Sequence, residues 1–381
     1  MASSPARNDD TVTMNFGSGP GALPRAALLA AQEEFLDVEG SGMSILEHSH
    51  RGSVYDRIHE EARALFRKVL DLPASHEVLF FQGGASEQFA TVPMNFLRPG
   101  DRAGYAVHGV WGEKAVQEAT TWAPLAGAEA PVVASSQEGT RYLRVPSAAE
   151  LGAFSGSLRY VHTTTNETIH GVQWHAEAIA AAVPAGVPLV CDMSSDFLSR
   201  PTDLSPFALT YAGAQKNVGP SGLVVAIVNA DFAKECRKDL PRIFRYDVNL
   251  KEKSLVNTPP VFSVYLTRNV LRWLDAEGGL PAMAERNTAK AKLVYDALES
   301  CGGFYTVPVE RAARSQMNVV FGLPNAQLDM RFLAEAKTRR MVGLSGHRSV
   351  GGMRAALYNA VPLAWAEALA EFLVDFAKRA G

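Results

Sequence analysis

At residues 211–217 the chain reads YAGAQKN, and at 190–195 it reads VCDMSS. The first stretch closes an apolar run, 207–211, that predicts a strand. Lys216 follows among small residues, and Val218-Gly219-Pro220 turns the chain at once. A lone lysine placed there can be desolvated and reactive. Asp192 closes a second apolar run, 188–191, which predicts another strand. In an open α/β sheet, residues past the carboxyl ends of neighbouring strands converge on one crevice. A lysine and an aspartate meeting there suit pyridoxal phosphate, which takes a lysine as Schiff base and an aspartate at its pyridinium nitrogen. Taken singly, Lys216 also reads as a surface lysine and Asp192 as a helix cap, so the rest of the chain has to decide.

Working outward, 78–81 (VLFF) predicts a strand that runs into Gln82-Gly83-Gly84-Ala85-Ser86 and then a helical segment. Strand, Gly-rich turn and helix N-terminus together bind phosphate through free amides and the helix dipole. The turn is neither GxGxxG nor a Walker A pattern, which argues against a dinucleotide or a nucleoside triphosphate. A strand over 103–107 leads to His108-Gly109-Val110-Trp111, where the tryptophan offers either core packing or a flat face for a cofactor ring. The strand at 159–162 ends in a polar burst, TTTNET at 163–168, read as a loop able to line a site. A purely apolar strand occupies 223–229. Strands alternating with helical segments indicate a mostly parallel sheet covered on both faces.

Two further stretches carry cations on loops. EHSHRG places His48, His50 and Arg51 before a helix over 54–70, whose core face is Ile58, Leu65, Phe66 and Val69. LSGHRSVGGMRAALYN places His347, Arg348 and Arg354 around a Gly-rich turn near the C-terminus. Such clusters suit carboxylates and phosphates. NFGSGPGALP at 15–24 is a loop whose backbone can approach a ligand.

The 381 residues are enough for two domains, with 47% hydrophobic and 20% charged residues, as in an ordinary globular protein. Net charge is −3, from 37 basic and 40 acidic residues, so there is no nucleic-acid footprint and any anion site depends on local placement. The three cysteines, Cys191, Cys236 and Cys301, form no CxxC or zinc pattern and predict reduced thiols in a cytoplasmic protein without a metal site. The first residues lack the apolar run of a signal peptide, and no later stretch is long enough to span a membrane. The expected division is a flexible extension at 1–14, a large cofactor-binding domain at 15–280 with its N-terminal loop near the small domain, and a smaller α+β domain at 281–381.

With these pieces in order, the sequence resembles the phosphoserine aminotransferases, fold-type I pyridoxal-phosphate enzymes of serine biosynthesis. The resemblance runs from Asn15 to the C-terminus and rests on NFGSGPGALP, SHRG, FFQGGASEQF, GVW, NET, YAGAQKN, NTPP and GHRSVGGMRA. It implies that Lys216 carries the cofactor, Asp192 pairs with its ring nitrogen and Trp111 stacks on the ring. Ala85, Ser86 and Gln215 would hold the cofactor phosphate, with Thr168 as a further contact. Some relatives have an arginine at Ser86, which leaves the backbone amides there to do the work. Asn257 and Thr258 would reach the cofactor phosphate of the partner subunit in a homodimer with shared active sites. Ser18 and Arg51 resemble substrate contacts, and Arg354 resembles the clamp for the substrate α-carboxylate. His50, Arg51, His347 and Arg348 resemble the pocket for the substrate phosphate. The implied substrates are L-glutamate and 3-phosphohydroxypyruvate, and the family also acts on a phosphorylated hydroxythreonine of vitamin B6 synthesis.

Rival readings need features the chain lacks. A cysteine desulfurase needs a reactive cysteine on a mobile loop, whereas Cys191 falls in a predicted core strand. A serine–glyoxylate-type aminotransferase gives no reason for a second anion pocket. An NAD-dependent oxidoreductase needs GxGxxG with a downstream acidic residue. A non-catalytic phosphate-binding protein leaves Lys216 idle.

Overall fold

Seven strands form one sheet, and most of their residues are buried. In chain order they are β1 (His76–Gln82), β2 (Ala103–Val107), β3 (Val132–Ser135), β4 (Tyr160–Thr164), β5 (Leu189–Asp192), β6 (Phe207–Gly213) and β7 (Leu223–Asn229). The computed structural model describes residues 12–152 and 157–381. The spatial order is β1-β7-β6-β5-β4-β2-β3. Strands β3, β2, β4, β5 and β6 are mutually parallel, and β7 runs against both β6 and β1. The reversal has a simple cause. A parallel return needs a crossover of about a dozen residues or more, usually helical, and the link from Gly213 to Leu223 is a short Gly-Pro turn.

Strands β2, β4 and β5 are buried at every residue, as a sheet covered on both faces requires. Alternate residues of β1 feed opposite cores. Val78 and Phe80 join Ile58 and Phe66 of helix α1 (Ser53–Val69), while Leu79 and Phe81 join Phe89 and Phe96 of helix α2 (Ala85–Phe96). The predicted face of α1 holds at Ile58 and Phe66, with Leu65 and Val69 only half-buried at its margin. Helix α3 (Val110–Trp122) covers the second core through Ala115 and Ala119.

The C-terminal unit has its own core. Helices α4 (Gly279–Ser300), α5 (Ala326–Thr338) and α6 (Leu363–Ala380) pack on the antiparallel pair β8 (Asn318–Phe321) and β9 (Met353–Ala356). The N-terminus belongs to this unit too. Met14–Asn15 pairs in parallel with Met341–Val342, and Phe16 is fully buried in the C-terminal core. Much of the extension expected at 1–14, residues 1–11, lies outside the described residues. Met14, its last residue, is not flexible but held in a strand. No helix among the described residues is long and apolar enough to cross a membrane.

Candidate active site

Five parallel strands and β1 point their carboxyl ends the same way, and the continuations of β2, β4, β5 and β6 meet around Lys216. Asp192 ends β5 level with Thr164 of β4 and Tyr211 of β6. It is 4% exposed. Its Oδ1 accepts from the Ser194 amide at 2.8 Å and the Ser194 hydroxyl at 2.6 Å. Among the described residues nothing donates to Oδ2. Burial pushes this carboxyl's pKa up, while the Lys216 charge and the Ser194 bonds pull the other way.

Lys216 follows the end of β6, which extends two residues further than expected, to Gly213. The side chain is buried at 8% exposure, with Nζ 5.3 Å from the Trp111 ring centroid. Among the described residues its amine makes no hydrogen bond. Burial lowers its pKa, Asp192 and Glu167 raise it, and Arg354 lowers it again. A buried amine whose pKa is lowered by burial, beside an aromatic face and an aspartate, has the environment a nucleophilic lysine needs. The N-terminal loop closes over it. A side chain at Gly19 would meet the Gln215 and Lys216 stems, the Gly21 amide donates to the Gln215 carbonyl at 2.8 Å, and Tyr358 Oη donates to the Ser18 carbonyl at 2.8 Å.

The phosphate-type turn forms as expected. Gly83 has φ +101°, which favours glycine, and α2 starts at Ala85 with no side-chain cap on its N-terminus. Open amides at a helix start fit an anion. Ser86 is exposed, so its hydroxyl is free to help. The Thr258 carbonyl accepts from Gln82 Nε2 of the same chain, and Asn257 lines a small cavity of about 70 Å³ with Gln82 and Glu87. The helix expected to start at Thr258-Pro259-Pro260 begins at Val261.

The polar burst at 163–168 is not an open loop. Thr163 and Thr164 finish β4, and Thr165 to Thr168 are each at most 2% exposed. Each residue of NET has a structural partner. Asn166 joins a buried network with Ser195, Ser315 and Asn318, tying the large sheet to β8. Thr168 Oγ1 accepts from the Trp111 indole at 2.7 Å, and its carbonyl accepts from Arg354 Nη1 at 3.1 Å. Glu167, which the sequence reading did not single out, accepts from the Trp111 amide at 3.1 Å and the Gly112 amide at 2.9 Å.

Arg354, on β9, therefore reaches the crevice from the C-terminal unit. Its Nε is buried without a partner among the described residues, ready for an acceptor. His347 and Arg348 lie on the preceding loop, His347 half-buried with Nδ1 2.7 Å from Ser349 Oγ. Burial, then Arg354, Arg348 and Lys114, lower the pKa of His347. Lys114 is a second residue that sequence reasoning missed. One turn of α3 beyond Trp111, it adds a cation to the group around His347. His50 and Arg51 are not brought to this group within one chain. Arg51 is exposed, and among the described residues no hydrogen bond or ion pair joins either residue to the 345–354 loop. Cys191 is fully buried and its pKa pushed well up, the opposite of a reactive thiol.

Known proteins resemble this chain along nearly its whole length. The class-V aminotransferase family model matches residues 13–367. A phosphoserine aminotransferase of Lysinibacillus sphaericus is 46% identical over 96% of this chain and 98% of its own length. The solved phosphoserine aminotransferase of Bacillus circulans subsp. alkalophilus superposes with a TM-score of 0.91 at 46% identity, covering 97% of this chain and 99% of that one. The PLP-bound phosphoserine aminotransferase structure from Trichomonas vaginalis gives 0.88 at 33% identity, covering 95% and 99%. With a buried lysine, an aspartate on the adjoining strand and an uncapped helix start at one sheet edge, and with this likeness along its length, the chain belongs to the class-V aminotransferases and, within them, to the phosphoserine aminotransferases.

Proposed function

We propose that this chain reversibly transfers the amino group between L-glutamate and 3-phosphohydroxypyruvate, giving O-phosphoserine and 2-oxoglutarate, with pyridoxal phosphate as cofactor. The observation that carries the reading is the unpartnered Lys216 amine, 5.3 Å from the Trp111 ring centroid and electrostatically coupled to Asp192 and Arg354. The residues fit the cofactor on chemical grounds: a free Asp192 Oδ2 for a protonated ring nitrogen, an aromatic face at Trp111, and open amides at Ala85 and Ser86 for a phosphate, with Gln215 and Thr168 alongside.

When bound, pyridoxal phosphate supplies an electron sink that makes the substrate Cα–H bond acidic. The protein does the rest. Lys216 would hold the cofactor, and its depressed pKa would let a free Nζ take the substrate Cα proton and return it. Asp192 keeps the ring nitrogen protonated. Arg354 grips the α-carboxylate common to both amino acids, and Ser18 closes the loop above it. His347, Arg348 and Lys114 supply donors for the substrate phosphate, which explains a cation cluster in a chain of net charge −3.

The active unit in this proposal is a homodimer. Leu28, Leu29, Phe35, Leu36, Met43 and Leu46 are large apolar residues left exposed just ahead of His50 and Arg51. A stretch of that kind marks an interface. Covering it with a second copy lets His50 and Arg51 of the partner subunit complete the phosphate pocket, and lets Asn257 and Thr258 act across the two-fold. A cytoplasmic location is part of the same reading, supported by three cysteines that remain free thiols. The test is direct. Protein given pyridoxal phosphate should turn yellow, and borohydride should fix the cofactor's mass on Lys216. It should then aminate phosphohydroxypyruvate from glutamate far faster than hydroxypyruvate. No preference for the phosphorylated substrate would refute the specificity, and no adduct at Lys216 would refute the cofactor assignment.

A further inference from the structure

Glu167 is fully buried, and nothing in the chemistry above uses it. Its two oxygens accept from consecutive amides, Oε2 from Trp111 at 3.1 Å and Oε1 from Gly112 at 2.9 Å. These are first-turn amides of α3, which have no partner inside the helix. The residue before that helix, Gly109, has no side chain with which to cap it. A carboxylate at a helix N-terminus is favoured by the helix dipole. The fit is tight: a Cβ at Gly109 would lie 2.1 Å from the Glu167 carboxyl carbon. Gly109 has φ 173°, extended backbone that any residue can adopt, so only the space taken by Glu167 demands glycine there. The next residue, Thr168, holds the other end of the same tryptophan through its indole.

We propose that Glu167 is a positioning residue that, by gripping the backbone of Trp111 while Thr168 grips its indole, sets the aromatic face over Lys216 before any cofactor arrives. The inference rests on the reading of Lys216 as the cofactor-bearing lysine, but its first consequence belongs to the cofactor-free protein. Protonating Glu167 turns one acceptor into a donor facing an N–H, so the grip weakens in acid. Burial raises its pKa to about 7, with Asp192 pushing up and the two amides and Lys216 pulling down. Its charge also raises the pKa of Tyr142. The loosening therefore falls near neutral pH.

The experiment compares wild type, Glu167→Gln, Glu167→Ala and Gly109→Ala, each with and without Trp111→Phe. The Trp111 contribution to fluorescence is then obtained by difference in the cofactor-free protein. In wild type its acrylamide quenching should rise as pH falls through about 7. Glu167→Ala should be quenched strongly at every pH. Glu167→Gln should be intermediate and without titration, because its amide keeps one acceptor and cannot ionise. Gly109→Ala should resemble Glu167→Ala, and combining the two should add little, since the new methyl then fills vacated space. Cofactor affinity, titrated by absorbance, should fall about tenfold in Glu167→Ala, the equivalent of one net hydrogen bond. Unchanged Trp111 quenching in Glu167→Gln, or additive losses in the Gly109–Glu167 pair, would overturn the proposal. Failure of the borohydride adduct at Lys216 with intact Trp111 behaviour would instead fault the cofactor reading.

Discussion

Replacing Asp192 by Asn separates two effects that a merely structural role would not separate. Asparagine keeps an Oδ1 that can accept from the Ser194 amide and hydroxyl, now at 2.8 and 2.6 Å, so the local fold should stand. What changes is the free oxygen, which becomes an N–H₂ donor that cannot hold a proton on a ring nitrogen. Breaking one side of a buried ion pair costs about 3–5 kcal/mol. At about 1.36 kcal/mol per decade, the glutamate half-reaction should slow by roughly two to nearly four decades. Stability should move the other way. The folded-state pKa of Asp192 lies above its ordinary value, so the folded chain holds this proton more tightly than the unfolded one. The ionised carboxylate therefore destabilises the cofactor-free protein at neutral pH, and that cost grows as pH rises from the unfolded pKa through the folded one. Asparagine removes the cost. Single-turnover absorbance with glutamate gives the rate, and thermal melts of cofactor-free protein at pH 5 and 8 give the stability. A rate within twofold of wild type, or a cofactor-free variant that melts several degrees lower at pH 8, would refute the reasoning.

Arg348 of the C-terminal loop and Arg354 of β9 should differ. A charge-assisted hydrogen bond contributes about 1.5–3 kcal/mol, so Arg348→Ala should slow the phosphoserine half-reaction by roughly 10- to 150-fold and spare the glutamate half in part, whereas Arg354→Ala should damage both; equal losses in both halves for both variants would deny them separate tasks. Lys290 is 1% exposed and donates to the carbonyls of Leu357, Tyr358 and Val361 at 3.0, 2.8 and 3.1 Å, bracing the segment behind Lys216. Lys290→Met leaves those three buried acceptors without their donor, at about 1–3 kcal/mol for each such group; denaturant unfolding should show a loss of at least about 3 kcal/mol, and a loss under about 1 kcal/mol would contradict it. Mixing and refolding Lys216→Ala with a variant bulky at Thr258 should restore part of the activity that each lacks, and full wild-type activity in a demonstrable monomer would sink the shared-site dimer.

The motifs at Lys216 and Asp192 were legible because their pattern is local in sequence: an apolar run, then a titratable group where a strand stops. The same holds for the Gly83-Gly84 turn, since a positive φ before a helix start is written in glycine. Near full-length likeness then made the family readable from motif order alone. Other features had no sequence signature. Glu167 acts on backbone amides of a helix far away in the chain, and a backbone amide leaves no trace in the residue that carries it. Lys114 looks like any surface lysine on an amphipathic helix until folding turns it toward His347. TTTNET read as a loop because polar residues are usually solvated, yet here all six residues are buried, and apart from the Thr164 hydroxyl their side chains find partners that include residues of β2, β5, β8 and α3. Met14 read as part of a frayed end because its partner, Met341, lies at the opposite end of the chain. The sequence alone thus determined the family, the candidate residues for its chemistry and roughly where each strand ends. The tertiary structure decided which of them share a crevice, and it left His50 and Arg51 outside that crevice in a single chain, because contacts between distant segments depend on packing and symmetry rather than on spacing along the chain.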